Sequence, residues 1–196
     1  ADGIPYIFHD DDLSRLFGKD IRFNSLHSNE INKLMLFDKY KIPKLETVLE
    51  KFPKTFFQID VKTDEVTRPA MKIIKEANSL DRVCIASFSS KRLKLVGNLY
   101  PEVCLSMGPK EIIKLFFASF GLYKKKIPGD CLQIPIYQYG IKLATKRFVK
   151  YVQGIGLKIH VWTINDEDTM QKLIDLGVDG IITDRPKALK DLLSNR

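Results

Sequence analysis

The sequence predicts an α/β fold, a parallel (β/α)8 barrel of the TIM type, on two observations. Short runs rich in β-branched and aromatic residues alternate with helical stretches, and the links between them are short. No GxGxxG or GxxxxGKS/T loop follows any run, which makes dinucleotide-binding and nucleotide-binding folds less favoured than a barrel. With 196 residues, 44% of them hydrophobic, the chain can bury a substantial core, and we interpret residues 1–196 as a single domain.

The predicted elements follow one another in order. The predicted strands are residues 4–8, 55–61, 82–86, 103–106, 131–135, 157–164 and 178–183. Residues 65–78 carry apolar side chains at helical spacing. Residues 166–176 open with acidic residues after Asn165, which suits a helix N-cap, and Gly177 follows as the expected C-terminal residue.

Charge and cysteine content restrict the partners only partly. The net charge of +8 suits an anionic partner, which could be nucleic acid, a phospholipid surface or a phosphorylated small molecule. The three cysteines are scattered, without metal or redox spacing, and indicate thiols in a reduced protein. No signal-like segment precedes Asp2, and the first residue is not Met, so the chain start is interpreted as cut.

Polar residues stand where several predicted strands end, which is where barrel enzymes place their chemistry. They include His9, Asp60, Lys62, Gln133, Trp162, Asn165 and Asp184. Each has an ordinary alternative: Asn165 and Asp184 could cap helices, and His9 could lie in a solvated turn. Asp60 and Lys62 are two residues apart on a strand, so both point to the same side, and Val61 points to the other.

These residues belong to a longer pattern. The segments DGIPYIFHDDDLSRLFG, IPKLETVLEKFP, FQIDVK, ASFSSKRL, HVWTIND and GVDGIITDRP occur in this order along nearly the whole chain. Together they resemble the glycerophosphodiester phosphodiesterase family. That resemblance implies a TIM barrel that hydrolyses glycerophosphodiesters or lysophospholipids to glycerol 3-phosphate, or a related phosphomonoester, and an alcohol, with a divalent cation, Ca²⁺ or Mg²⁺.

The resemblance also implies roles for individual residues. His9 matches one of two catalytic histidines and is the candidate acid/base, with Asp10 either orienting it or capping the turn. Asp60 stands where the family usually has a metal-binding glutamate, and Lys62 matches a phosphate-binding lysine. Trp162 and Asn165 match a signature that lines the substrate pocket, to which the strand pattern adds Gln133.

Two motifs of the family do not occur in this sequence. Members carry a His-Arg-Gly motif and a Glu-x-Asp metal pair upstream of the segment that begins at Asp2. A full barrel takes about 250 residues, so we expect a barrel without its first two strands. We also expect poor solubility from the open sheet edges, weak cation binding and little or no turnover by this chain.

Residues 112–126 combine apolar and basic side chains. They contain a run of apolar and aromatic residues followed by Lys124, Lys125 and Lys126. The segment is too short for a membrane span, which needs about 20 residues. A barrel helix packed on the sheet is one interpretation, and a peripheral membrane contact is the other.

Two classes of function therefore remain. One is a phosphoric diester hydrolase of lipid metabolism, and the other is a non-catalytic family member or fragment that binds phosphodiesters or an anionic membrane. Nucleic acid is not expected as a partner, because the basic residues are spread along the chain without a binding motif. The compartment stays open, with a cytoplasmic or membrane-peripheral location favoured over secretion.

Overall fold

The structure is a computed structural model that describes residues 2–194. The chain divides into two compact units. The first comprises the chain up to Cys84 together with Leu95–Val103, and the second comprises Ile85–Lys94 and the chain from Cys104 onward. The helices found within residues 2–194 all lack the length and apolar character that crossing a bilayer would require.

The first unit contains short strands and four α-helices. Its strands are β1 Asp12–Leu13, β2 Lys19–Arg22, β3 Met35–Leu36, β4 Tyr40–Lys41 and β5 Phe57–Asp60. Its helices are α1 Ser14–Phe17, α2 Ser28–Ile31, α3 Leu45–Lys51 and α4 Asp64–Glu76. Strands β1 and β2 pair antiparallel, as do β3 and β4. Strand β5 confirms the predicted strand at 55–61, and α4 confirms the predicted helix at 65–78, each with shifted ends.

The predicted strand at residues 4–8 is wrong. These residues run extended beside the segment that leads into α3, and they make only one isolated antiparallel bridge, from Tyr6 to Lys44. The Ile7 N–H donates to the Pro43 carbonyl, and the Leu45 N–H donates to the Pro5 carbonyl. The ladder cannot extend because Pro5 lacks an N–H and α3 begins at Leu45.

A small apolar cluster holds this part of the first unit together. Its buried members are Leu13, Leu26, Ile31 and Ile42, and Tyr6, Phe8, Phe17, Phe23, Leu34 and Leu36 pack against it. The Phe8 and Phe23 rings stack with their centroids 4.4 Å apart. The extended segment before His9 is therefore held by side-chain packing rather than by a sheet.

The division between the units passes through β6 Val83–Ala86 and α5 Ser90–Leu99. The strands of the second unit are β7 Cys104–Leu105, β8 Cys131–Ile134, β9 Tyr137–Gln138, β10 Ile141–Lys142, β11 Lys158–Val161 and β12 Gly180–Ile181. Its helices are α6 Pro109–Ala118, α7 Lys146–Gly154, α8 Glu167–Leu176 and α9 Pro186–Ser194. Each of the remaining predicted strands thus contains an observed strand.

The second unit contains a parallel sheet, as predicted. Strand β11 lies between β8 and β12 and pairs parallel with both, with His160 opposite Gln133 on one side and Gly180 on the other. A parallel bridge from Ser106 to Cys131 adds the chain after β7. Alternate residues of β8 and β11 are fully buried, namely Leu132, Ile134, Ile159 and Val161. They belong to the same core cluster as the fully buried helix residues Phe148 and Val152 of α7 and Met170 of α8.

Candidate active site

Asp60 and Lys62 contact each other at the end of β5, as their spacing predicts. Lys62 Nζ lies 2.7 Å from Asp60 Oδ2, and the two side chains are 34% and 30% exposed, respectively. Val61 is buried on the other side of the strand. The two charged groups therefore share one partly solvated position, where a ligand can reach both.

The second oxygen of Asp60 has the properties of a cation ligand. Asp60 Oδ1 is buried and has no hydrogen-bond partner among residues 2–194. A buried acceptor without a partner costs about 1–3 kcal/mol of desolvation, which a bound cation would offset. Within the same described range, no second carboxylate or imidazole joins Asp60 in a cluster of three ligand atoms. Asp60 Oδ1 is therefore the candidate cation ligand of this site.

His9 follows the extended segment of the first unit and is highly accessible. Its side chain is 84% exposed, and Nδ1 lies 2.9 Å from Asp10 Oδ1. Hydrogen bonds from Arg15 first, and from His9 second, lower the pKa of Asp10 to about 2. Within the described residues, both Asp10 oxygens accept from the side chains of Arg15 and His9 rather than from a backbone N–H of the turn, which favours the orienting role.

In the second unit, Gln133 lies in β8 and Trp162 comes directly after the neighbouring strand β11. Gln133 is half-buried on the side opposite Leu132 and Ile134. The backbone N–H of Trp162 donates to the Ile134 carbonyl. The parallel register therefore brings these two predicted site residues to one edge of the sheet.

Phe88 lies beside Trp162 and is not among the strand-end residues that the sequence indicated. Its ring meets the Trp162 ring edge to face, with centroids 6.3 Å apart and an interplanar angle of 81°, and the residue is 64% exposed. Phe88 comes two residues after the end of β6. A polar side chain after a strand does not indicate Phe88; its aromatic ring directly after Ser87, which follows a predicted strand, is the signal that could have identified it.

Asn165 uses its amide group within the protein. Its Nδ2 donates to Asp184 Oδ2 over 2.8 Å, and its Oδ1 accepts from the Asp184 N–H and from Thr183 Oγ1. Arg185 also donates to the Asn165 carbonyl. These bonds join the segments that follow β11 and β12, so the geometry gives Asn165 a role in fixing the backbone after Trp162. Substrate binding by Asn165 stays a prediction.

His160 occupies the middle of β11, where it is half-buried. Burial lowers its pKa below the usual value for histidine, although Asp179 and Cys104 act in the opposite direction. The ring lies over Gly180 of β12, where an added Cβ would come within 2.7 Å of His160 Cδ2. His160 is thus held as a neutral side chain beside Gln133.

The basic and apolar segment near α6 divides into a helix and a turn. The helix ends at Ala118, because Gly121 adopts a left-handed conformation and Ser119 Oγ donates to the Phe116 carbonyl. The exposed apolar residues of this segment are Ile113, Phe117, Phe120 and Leu122. Ile112, Leu115 and Ala118 are buried, so one face of α6 packs on the core, as the first interpretation predicts, and the other remains at the surface.

Comparisons with known proteins identify relatives over the whole chain. A family model described as the glycerophosphoryl diester phosphodiesterase family matches residues 1–188. The chain is 29% identical to "Probable glycerophosphodiester phosphodiesterase 2" of Mycobacterium tuberculosis, covering 100% of this chain and 76% of that protein. It is 23% identical to lysophospholipase D GDPD1 of Homo sapiens, covering 96% of this chain and 72% of that protein.

Solved structures also resemble this chain. An Oleispira antarctica phosphodiesterase in complex with the product sn-glycerol-3-phosphate matches with a TM-score of 0.77 and 20% identity, covering 98% of this chain and 81% of that chain. At this identity the likeness shows the fold alone. The predicted fold class, an α/β barrel of the TIM type, is therefore confirmed.

Proposed function

The chain belongs to the glycerophosphoryl diester phosphodiesterase family, and from that premise we propose that it acts on glycerophosphodiesters or lysophospholipids. The reaction would release glycerol 3-phosphate, or a related phosphomonoester, and an alcohol. The observation that carries the proposal is the Asp60–Lys62 pair, in which one carboxylate oxygen is paired with an ammonium group and the other is buried without a partner in residues 2–194. Such a pair suits a phosphate and its counter-cation.

The chain's own residues suggest how a phosphodiester would be bound and cleaved. The Lys62 ammonium group moves from Asp60 to a non-bridging phosphate oxygen, where it neutralises charge that grows in the transition state. His9 takes a proton from the attacking water as the water oxygen adds to phosphorus, and it gives a proton to the leaving alkoxide, so that the P–O bond to the alcohol breaks and the alcohol leaves protonated. Substrate binding by Gln133 and Trp162 stays a prediction.

Asp60 is the residue that would hold a divalent cation, through Oδ1. A hard cation such as Ca²⁺ or Mg²⁺ prefers carboxylate oxygens, and when bound it would neutralise phosphate charge. Because the number of carboxylate ligands largely sets affinity, and Asp60 belongs to no three-ligand cluster of His, Cys, Asp or Glu within residues 2–194, these ions should bind weakly. Replacing Asp60 with asparagine should weaken cation binding further, measured by calorimetry.

Two relatives support the choice of substrate class. One relative is named as a lysophospholipase D, and a solved relative carries sn-glycerol-3-phosphate as its product. A lysophospholipid and sn-glycerol 3-phosphate both contain a glycerol phosphate group. The part of the substrate that we propose to be recognised in this chain is therefore the glycerol phosphate, and the alcohol is left undefined.

This function is tested by using calorimetry to measure the binding of sn-glycerol 3-phosphate in the presence of Ca²⁺ or Mg²⁺. Lys62→Ala should weaken binding by about tenfold or more, because one charged contact to phosphate contributes about 1.5–3 kcal/mol. Lys54→Ala, which removes an exposed lysine near β5, should leave binding unchanged. Equal affinity in the two variants would remove Lys62 from the site.

A second candidate function is phosphodiester binding without turnover, which is favoured because Asp60 belongs to no cluster of three ligand residues in the described range. Release of glycerol 3-phosphate from glycerophosphocholine separates the two candidates. Binding of glycerophosphocholine that depends on Lys62, without release of product, would support the binding function. Cation-dependent release that is lost in His9→Gln would support the hydrolase.

We also propose that residues 112–126 contact an anionic phospholipid bilayer. Residues 109–126 contain five lysines and one acidic residue, Glu111, which accepts a hydrogen bond from Ser90 Oγ. Phe117 and Leu122, which are 45% and 72% exposed, are apolar groups that can enter the headgroup region. The charge complements anionic headgroups, at about 1 kcal/mol per lysine near the surface.

Vesicle sedimentation tests this contact. Binding is expected to phosphatidylglycerol vesicles but not to phosphatidylcholine vesicles, and it should weaken with salt because charged contacts are screened. Replacing Lys124, Lys125 and Lys126 together with glutamine should reduce binding at least fivefold, as should Phe117→Ser with Leu122→Ser. Phe56→Ser changes an 82% exposed phenylalanine of the first unit and serves as the control. Equal binding by all variants would exclude the contact.

A further inference from the structure

Arg15 holds the carboxylate that contacts His9. Arg15 Nε donates to Asp10 Oδ2 over 2.7 Å, and its NH2 group donates to Asp10 Oδ1 over 3.0 Å. Two parallel hydrogen bonds of this kind fix a carboxylate in one plane, which a single contact does not. Asp10 Oδ1 also receives the contact from His9 Nδ1, so one oxygen joins the guanidinium group to the imidazole.

The surrounding structure keeps Arg15 in place. Arg15 lies in α1, whose first turn is held by Asp12, because Asp12 Oδ1 accepts hydrogen bonds from the Ser14 N–H and Oγ. Phe17, in the same turn, packs against Phe8, the residue before His9, with ring centroids 6.4 Å apart. This contact between Phe17 and Phe8 therefore links the backbone next to Arg15 to the backbone next to His9.

Because Asp10 is an ionised carboxylate, its contact with His9 determines which ring nitrogen carries the hydrogen. A carboxylate accepts hydrogen bonds and cannot donate one, so the contact at 2.9 Å requires hydrogen on His9 Nδ1. An unrestrained neutral histidine favours hydrogen on Nε2 instead. The contact with Asp10 thus reverses the usual tautomer and leaves the lone pair on Nε2.

We propose that Arg15 is a positioning residue, which holds Asp10 in the orientation that keeps the hydrogen of neutral His9 on Nδ1 and leaves Nε2 for proton transfer. The use of Nε2 in catalysis rests on the proposed function, whereas the position of the hydrogen does not. The low pKa of Asp10, for which the hydrogen bond from Arg15 is the largest cause, agrees with this arrangement. Arg15 itself need not touch the substrate.

The test is the tautomer of His9, measured by long-range ¹H–¹⁵N NMR on the full chain at a pH well above the ordinary imidazole pKa of about 6.5. The chain has three histidines, and His9→Gln assigns the His9 signals. The protein is expected to show more Nδ1–H than Nε2–H at His9. Arg15→Gln should lower this ratio about threefold, the size of effect expected for an exposed charged contact.

Two further variants separate positioning from charge and folding. Arg15→Lys keeps the charge but loses the second hydrogen bond, so its ratio should lie between those of Arg15→Gln and the parent. Arg22→Gln removes a nearby exposed arginine of β2 and should leave the ratio unchanged. A parent protein with mostly Nε2–H at His9, or equal ratios in Arg15→Gln and Arg22→Gln, would overturn the proposal. The measurement needs no turnover, so a failed hydrolysis assay would leave its outcome intact.

Discussion

Single side chains supply several of the contacts that hold the first unit together, and Arg82 is the strongest example. Its guanidinium group donates to the carbonyls of Leu49, Phe52 and Thr55 and to Ser79 Oγ. These carbonyls lie at and beyond the C-terminal end of α3, where a helix leaves acceptors without intrahelical donors. A cation is favourable there because of the helix dipole as well.

Arg82→Ala should lower the free energy of unfolding by about 2–4 kcal/mol, because three carbonyls, of which that of Leu49 is partly buried, would lose a charged donor. Urea denaturation measures this change through the midpoint at constant m-value. Arg68→Ala, which truncates an exposed arginine of α4, is the matched control and should cost less than about 0.5 kcal/mol. Similar midpoints for the two variants would show that the Arg82 contacts contribute little.

At the scale of elements, the start of α8 shows what a local pattern leaves open. The sequence suggested Asn165 as the N-cap, but Asp166 is the N-cap, and its Oδ2 accepts from the Thr169 N–H over 2.8 Å. Asn165 is instead bonded to Asp184 from the next β/α unit. The correction arises because a distant partner uses the amide that a local cap would have required. Gly177 ends the helix as predicted, with φ of 83°.

Asp166→Ala should destabilise the second unit by about 1 kcal/mol, because it removes a side-chain cap. Asp166→Ser should recover most of that loss, since serine also accepts at this position. Asp168→Ala removes an acidic residue from the same first turn without removing the cap, so it controls for the helix dipole. Thermal unfolding would contradict the cap if Asp166→Ala and Asp168→Ala had the same effect.

At the scale of the whole molecule, titrating groups make stability depend on pH. Burial lowers the pKa of His160, so below about pH 6.5 the unfolded chain binds a proton that the folded chain excludes. Hydrogen bonds lower the pKa values of several carboxyl groups from 3.8, namely Asp2, Asp10, Asp12 and Asp166. Their contribution is present above the unfolded value and is lost as pH falls through the folded values.

Stability should therefore fall in two stages on acidification. The first stage begins near pH 6.5 and belongs to His160; the second begins near pH 4 and belongs to the carboxyl groups. The net charge of +8 adds repulsion in the same direction, since acid makes the chain more positive. Denaturant midpoints measured from pH 8 to pH 3 should show the first stage in His27→Gln but not in His160→Gln. Its persistence in His160→Gln would contradict the assignment.

Much of the fold could be predicted because it depends on local patterns. The β-branched runs around β5, β8 and β11 and the apolar spacing of α4 each predict an element from neighbouring residues alone. The strand alternation also predicts that Asp60 and Lys62 point to one side, which their contact confirms. By contrast, residues 4–8 have the composition of a strand and lack a partner that can continue the ladder.

The sequence by itself determined the family, the order of the β/α units and the residue types at the candidate site. Tertiary structure alone decided which of these residues use their polar atoms internally and which keep them available. Asn165 is tied to Asp184, Phe88 meets Trp162, and Asp60 Oδ1 is buried without a partner in residues 2–194. The physical reason is that strand periodicity specifies only the side of a residue. Hydrogen bonds and burial depend instead on partners from other parts of the chain.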